Sequence, residues 1–458
     1  MLKRVLVANR GEIAARILRA CREMNIETVA VFSTADRGAL FTTLATQAVC
    51  IGEARAANSY LNQDALLTTA LATGCDSVHP GFGFLSENAE FAAAVAANGL
   101  SFIGPAAEVI ATMGDKNAAR ALMQKHQVPV VPGSDGLVET VAAAQATADA
   151  LGYPVLIKAA AGGGGKGMRR VDTSDDLEQA FAAATAEALA CFGSGSVYLE
   201  KLIEDARHIE VQILADAHGA VVHLGERDCS LQRSHQKVLE EAPAQILSEE
   251  LRQEIGTVAV RAAKAVGYTN AGTVEFLVDD AQNYYFIEMN TRIQVEHPVT
   301  EMITGIDIVR EQIRIASGLP LRFNQTDVSI SGHAIECRIN AEDPLNNFSP
   351  CPGALDYLHL PSGFGVRVDT VLHSGCEISP FYDSMIAKLI VHGRTRNEAI
   401  LRMRRALEEL VVSGVTTNIS LLYMLMYNPE YLSNHIDTGF IERNLGQLLQ
   451  PLKEDKGL

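Results

Sequence analysis

The sequence predicts a multidomain chain with an α/β start, on three observations. A β-α-β pattern opens it: Arg4-Val-Leu-Val-Ala8 as a strand, an amphipathic run from Ile13 to Met24, then Thr28-Val-Ala-Val-Phe-Ser33. That order implies a parallel sheet with right-handed crossovers. The chain has 458 residues, too many for one hydrophobic core. Its composition also breaks twice, at the proline-rich stretch Val128-Pro-Val-Val-Pro-Gly133 and again near Ser331.

In order, further strands fit Ala48–Ile51, Ser77–His79 and Ser101–Ile103. The turn after the first strand lacks G-x-G-x-x-G, so a dinucleotide fold is disfavoured. The glycine-punctuated loop His79–Asn88 either is structural or presents His79, Glu87 or Asn88. A helical stretch holds Asp115-Lys116-Asn117, and an alanine-rich helix spans Val138–Leu151. Tyr153–Lys158 reads as a strand running into Gly162-Gly-Gly-Gly-Lys-Gly167. Consecutive glycines leave backbone N–H groups free to wrap an anion. The run lacks the Ser or Thr that follows the lysine of a Walker A loop, leaving a flap over a triphosphate beside Lys158, or a plain hinge. Val197–Ile203 and His208–Leu214 read as strands. The polar run Leu224–Lys237 reads either as a mobile solvated loop or as an anion-binding wall of Arg233, His235 and Lys237. Beyond it, His333–Asn340 alternates as a strand with Glu336 and Arg338 on one face, and Met385–Val391 is another strand. Thr395-Arg-Asn-Glu398 forms a capping box before a helix with Ile400, Met403, Leu407 and Leu410 on its apolar stripe. Helices near Ile419–Met426 and Gly439–Leu449 finish the chain.

Composition narrows the function. Hydrophobic residues make up 48% and charged residues 20%, an ordinary globular balance. A net charge of −17 argues against a general nucleic-acid or anionic-membrane binder. Eight cysteines without a C-x-x-C pair suit a reduced, cytoplasmic protein, and neither a signal peptide nor a membrane-length apolar run is expected.

The most informative stretch is Gly272 to His297. Gly272-Thr-Val-Glu-Phe-Leu-Val278 and Tyr284–Asn290 flank a turn cluster and read as a hairpin. Closure near Ala281 and Gln282 would set Glu275 opposite Glu288, and opposed residues share a face with Cβ atoms about 5 Å apart. Two carboxylates that close repel unless a cation lies between them. With Asn290 they form an oxygen set that suits Mg2+. Continued alternation would align Glu288, Asn290, Arg292, Gln294 and Glu296 on one strand face, although a solvated surface hairpin alternates in the same way.

Seven motifs, in order and over nearly the whole chain, resemble biotin carboxylase. They are Val7-Ala-Asn-Arg-Gly-Glu-Ile13, His79–Asn88, Met113-Gly-Asp-Lys116, Gly162–Gly167, Glu226-Arg-Asp-Cys-Ser230, Phe286–Pro298 and Glu336–Asp343. The resemblance implies an ATP-grasp enzyme: an N-terminal α/β domain (1–114), a central ATP-grasp domain (115–330) with a mobile flap at about 131–203, a C-terminal α+β domain (331–446) and a tail (447–458). It implies carboxylation of biotin from ATP, Mg2+ (or Mn2+) and bicarbonate. Lys116, Lys158, Gly164, Gly165, Glu200, Lys201, Leu202, Ile203, His208 and His235 would contact ATP. Glu275, Glu288 and Asn290 would hold the metal; Lys237, Arg292, Gln294 and Val295 would hold bicarbonate. Glu296 would be the general base, and Arg338 would face the biotin ureido oxygen.

Two positions depart from the family pattern: Phe82 where Tyr is common, and Lys166 where Arg is frequent. With no Met-Lys-Met attachment sequence, biotin would come on a separate carboxyl carrier protein, with carboxyltransferase subunits as further partners. A homodimer is expected through Arg16, Arg19, Glu23 and Phe364-Gly-Val-Arg367. The acceptor implied first is acetyl-CoA; propionyl-CoA, pyruvate and urea carboxylases use similar components. Another ATP-grasp ligase or a non-catalytic nucleotide binder are the competing classes, and the intact acid–base set argues against the latter.

Overall fold

The computed structural model describes residues 1–160 and 167–455. Its N-terminal unit is a five-stranded parallel sheet in the order Gln47–Gly52, Glu27–Ser33, Arg4–Val7, Ser77–His79, Ser101–Phe102. The opening strand is apolar on both faces because both faces are covered. Val5 and Val7 pack with the helix Gly11–Glu23, whereas Leu6 and Ala8 meet the helices Gln63–Ala72 and Ala89–Ala97.

A small antiparallel sheet, Met168–Val171, Val155–Ala159 and Val197–Lys201, carries the glycine-rich segment between its first two strands in sequence. Helices Val141–Leu151 and Leu177–Phe192 cover it with a core of their own. Gly164, Gly165 and Lys166 lie outside the described residues.

The largest element is an eight-stranded antiparallel sheet. Its order is Tyr284–Asn290, Asn270–Val278, Arg207–Ala215, Val221–Arg233, Gln236–Ala242, His333–Asn340, Met385–Gly393, Val366–Thr370. Strands from the centre of the chain and from its C-terminal third therefore form one continuous surface, on which the site is built.

Several expectations need correction. Leu224–Lys237 is no loop: Val221–Arg233 and Gln236–Ala242 pair around a turn at Ser234 and His235, both left-handed. Its charges are buried in pairs, Glu226 with Arg252 at 2.8 Å, Asp228 with Arg207 at 2.8 Å and Arg227 with Glu210, so polarity concealed the strands. The strand bearing Glu288 stops at Asn290, whose partner Thr273 is the last its neighbour offers it; Arg292, Gln294 and Glu296 ride a loop into the helix His297–Thr304. The stretch around Lys116 is two helices, Ala107–Gly114 and Lys116–Lys125, divided at Asp115, whose side chain caps the second. Val138 pairs with Val197 ahead of its helix, and a short helix Pro429–Leu432 precedes the last, Phe440–Asp455, which runs past Leu449. The capping box at Thr395 is half formed: Thr395 accepts from the Glu398 N–H, but the Glu398 carboxylate takes the Arg394 N–H.

Candidate active site

The site begins with strand register. Glu288 lies opposite Glu275, Glu275 opposite Glu210, and Glu210 opposite Arg227, a row across four adjacent strands. Three carboxylates ending in one guanidinium leave excess negative charge on that face. The Lys237 ammonium answers part of it, lying 2.6 Å from Glu210, 3.1 Å from Glu275 and 2.7 Å from Glu296. Burial opposes the charged form of each group, yet the ion pairs prevail. Burial pushes Glu210 up, but Arg227 and Lys237 hold it down at about 2. Glu275, opposed by burial, is held well below the carboxylate range by Lys237 and His208. Lys237 stays ionised despite burial because of Glu210, Glu275 and Glu296.

Glu288 is different. Its nearest cation is Lys116 at 3.9 Å, and burial with the charge of Glu275 raises its pKa. A carboxylate left under-compensated opposite another carboxylate fits a divalent cation. Asn290 stands beside them, donating from Nδ2 to Glu275 at 2.8 Å while its oxygen accepts from Arg292 at 3.1 Å.

The loop Thr291–Glu296 brings the remaining groups in. Arg292 donates to Gln294 at 2.8 Å and to Glu87 at 2.8 Å; Gln294 also donates to Glu275 at 3.1 Å. Glu87 accepts the Thr291 N–H as well, so among the candidates His79, Glu87 and Asn88 it is the one that reaches this site. His79 is buried against the Gly81 N–H, and Asn88 caps the helix Ala89–Ala97. Glu296, wholly buried, lies between Lys237 and Arg338, the latter at 2.9 Å. Burial raises its pKa, but Lys237 and Arg338 prevail and the net shift is downward, so it is ionised. Arg338 also holds Glu240 at 2.6 Å. Burial lifts Glu240 to about 7 even so. Opposite Glu240 lies Glu336, whose oxygens have no hydrogen-bond partner among the described residues.

The expected nucleotide residues are more dispersed. Lys158 pairs with Glu200 at 2.5 Å on the small sheet, joined by Arg120 at 3.3 Å. The His208 ring nitrogen Nε2 lies 2.9 Å from the Glu275 carboxylate, and its Nδ1 shares a hydrogen bond with Gln232 at 2.8 Å. Lys201 instead donates to the Gly152 and Tyr153 carbonyls, Leu202 and Ile203 follow its strand half-buried, and His235 is exposed at the hairpin turn. Arg233 stacks on Phe348, so the anion wall expected of Arg233, His235 and Lys237 does not form. Phe82 packs into the N-terminal core with its ring 6.0 Å from the Lys388 ammonium. Sequence patterning does not single out Glu210 or Glu240; Arg227 lies in the motif Glu226-Arg-Asp-Cys-Ser230, which assigns it no role.

A small sheet bearing a lysine beside a glycine-rich segment, set against a larger antiparallel sheet with opposed carboxylates, defines the ATP-grasp class. The description "Carbamoyl-phosphate synthase L chain, ATP binding domain" matches residues 115–324, flanked by "Biotin carboxylase, N-terminal domain" at 1–110 and "Biotin carboxylase C-terminal domain" at 336–443. Biotin carboxylase 1 of Bacillus subtilis is 53% identical over 96% of this chain and 98% of its own length. One pyruvate carboxylase component, from Methanothermobacter thermautotrophicus, is 51% identical over 96% of this chain and 90% of its own. The biotin carboxylase domain dimer of Hydrogenobacter thermophilus 2-oxoglutarate carboxylase was solved with MgADP, ADP and bicarbonate. It superposes with a TM-score of 0.93 at 48% identity, over 97% of this chain and 98% of that one. The chain belongs to the biotin carboxylase family and is an ATP-dependent ligase that carboxylates biotin.

Proposed function

We propose that the chain is the biotin carboxylase component of an acetyl-CoA carboxylase, acting on biotin held by a separate carrier protein, with carboxyltransferase subunits completing the reaction. The observation that carries the site assignment is the shared position of Glu296, at 2.7 Å from Lys237 and 2.9 Å from Arg338. A carboxylate between two fixed cations, on a loop that also offers Arg292, can accept a proton from an anion those cations hold. The Bacillus subtilis relative, matched over 443 residues and 98% of its length, is a chain of this size, which supports a multi-subunit assembly. The 51% identity to a pyruvate carboxylase component favours pyruvate as the second reading.

In this reading Arg292, Gln294, the Val295 backbone and Lys237 bind bicarbonate, Arg292 through two parallel hydrogen bonds. Glu296 removes the bicarbonate proton as the bicarbonate oxygen attacks the γ-phosphorus of ATP, giving carboxyphosphate and ADP. Its pKa, depressed in the free site, rises as Lys237 and Arg338 turn toward substrate, so it becomes a better base when needed. Carboxyphosphate breaks to CO2 and phosphate. The phosphate takes the N1′ proton of biotin, N1′ attacks CO2, and Arg338 stabilises the ureido oxyanion. Glu275, Glu288 and Asn290 would hold Mg2+, which neutralises phosphate charge when bound. Lys116, Lys158, Glu200, Lys201, Leu202, Ile203, His208 and His235 would line the nucleotide path, and Gly164 and Gly165 would contact ATP as well.

Among the described residues no helix is long and apolar enough to cross a membrane, and all eight cysteines are free, which supports a cytoplasmic setting. Exposed Phe364 and Arg19 support a homodimer through the opening helix and the segment around Phe364. The reading is tested by ATP cleavage that requires both bicarbonate and free biotin, and by identifying the biotinylated protein that co-purifies. A carrier that delivers its carboxyl group to pyruvate would overturn the acetyl-CoA assignment.

A further inference from the structure

We infer that Lys388 is a positioning residue: from the C-terminal part of the large sheet it fixes the loop Thr291–Glu296 through the carbonyl of Val295. The Lys388 side chain is wholly buried, and its ammonium donates to the Val295 carbonyl at 2.9 Å. Its other partners are Glu12 of the opening helix at 3.2 Å and Asp369 of a neighbouring strand at 3.8 Å. Lys388 lies directly opposite Arg338 in strand register. Opposed residues share a face, so adjacent strands send two cations to one dipeptide: Arg338 to the Glu296 carboxylate, Lys388 to the Val295 backbone.

The ammonium already has two carboxylates to answer its charge, yet its hydrogen bond at 2.9 Å goes to a backbone carbonyl, and that needs a reason. The loop supplies one. The strand before it is held by its ladder only as far as Asn290, and the helix after it starts at His297. Between them Glu87 holds the Thr291 N–H, and the chain beyond it needs another anchor. His297 helps at the helix end by bonding the Gln294 carbonyl at 2.8 Å, and Lys388 anchors the next residue. Through Glu12 and Asp369 that anchor reaches the N-terminal unit and the outermost strand, so the height of Glu296 over the sheet is set by three parts of the fold.

The inference rests on the assignment of Arg292, Gln294 and Glu296 to bicarbonate. Lys388→Met alone would leave Glu12 unpaired and could fail to fold, so the test compares Glu12→Gln with Glu12→Gln/Lys388→Met. The single variant keeps the Val295 bond and should behave as wild type. The double variant loses a charge-assisted hydrogen bond, worth roughly ten- to a hundredfold in an equilibrium. Its kcat/KM for bicarbonate should fall by about that factor while KM for ATP stays within about twofold. Amide hydrogen exchange should quicken over residues 291–297 and not over 284–290. A purely structural lysine would lower the melting temperature and leave both readouts of the folded protein unchanged. Unchanged exchange over 291–297 overturns the role of Lys388. Faster exchange with unaltered bicarbonate kinetics overturns the assignment of the loop to bicarbonate instead.

Discussion

Replacing Glu296 by alanine removes a carboxylate that both Lys237 and Arg338 touch, at 2.7 and 2.9 Å. If Glu296 takes the bicarbonate proton, turnover should fall by roughly two to four orders of magnitude, the usual worth of a general base. That is about 2.7–5.4 kcal/mol in the barrier, at about 1.36 kcal/mol per decade. The fold should survive. Breaking a buried pair costs about 3–5 kcal/mol when it strands a charge. Here Lys237 keeps Glu210 and Glu275 at 2.6 and 3.1 Å, and Arg338 keeps Glu240 at 2.6 Å. Glu296→Gln, close to isosteric, controls for the lost volume. The assay is ADP release against bicarbonate concentration, with and without free biotin, on variants whose melting temperatures have been recorded. KM for ATP should change little, because the lysines expected to contact it lie on other elements. Turnover within about tenfold of wild type in Glu296→Ala, well short of the usual worth of a general base, would remove Glu296 from proton transfer.

Three further outcomes are expected. Glu288→Gln should raise the Mg2+ concentration for half-maximal turnover roughly tenfold or more, the scale of a lost charged contact; an unchanged Mg2+ titration would take Glu288 out of the metal set. His79 is wholly buried and burial lowers its pKa to about 3, so below its unfolded value of about 6.5 only the unfolded chain gains the proton and stability falls with pH. Between pH 6.5 and 5 the wild type should lose about 2 kcal/mol relative to His79→Asn, whose side-chain oxygen can still accept the Gly81 N–H; parallel urea midpoints would refute this. Phe364 is 88% exposed, and Phe364→Glu should convert a homodimer to monomer in sedimentation at micromolar concentration; a wild type that is already monomeric there would end the dimer proposal.

Much of the site could be read from residue order. The hairpin is a local matter of turn residues and alternation. Glu275 does lie opposite Glu288, but turn length alone does not set them so: Val278, Leu277 and Phe276 face Tyr284, Tyr285 and Phe286, and a register shift between Phe276 and Glu275 carries Ile287 past and brings Glu288 into place. The opening β-α-β unit and the apolar stripe of Ile400, Met403, Leu407 and Leu410 are local as well, and those side chains are buried. What failed was the inference from polarity. Charge density left Leu224–Lys237 open between a solvated loop and an anion-binding wall, yet it is strand: Glu226, Arg227, Asp228 and Lys237 find counter-ions on other elements, and Arg233 stacks on Phe348.

Residue order by itself therefore determined most of the elements, the hairpin that carries Glu275 and Glu288, and the family motifs, since these depend on spacing within tens of residues. Only the tertiary structure decided which cation each carboxylate meets. Lys237 gathers Glu210, Glu275 and Glu296 from separate strands and a loop, and Lys388 reaches Val295 from 93 residues away. Charge interactions are set by distance in space, and distance along the chain carries no record of it until the sheet has closed.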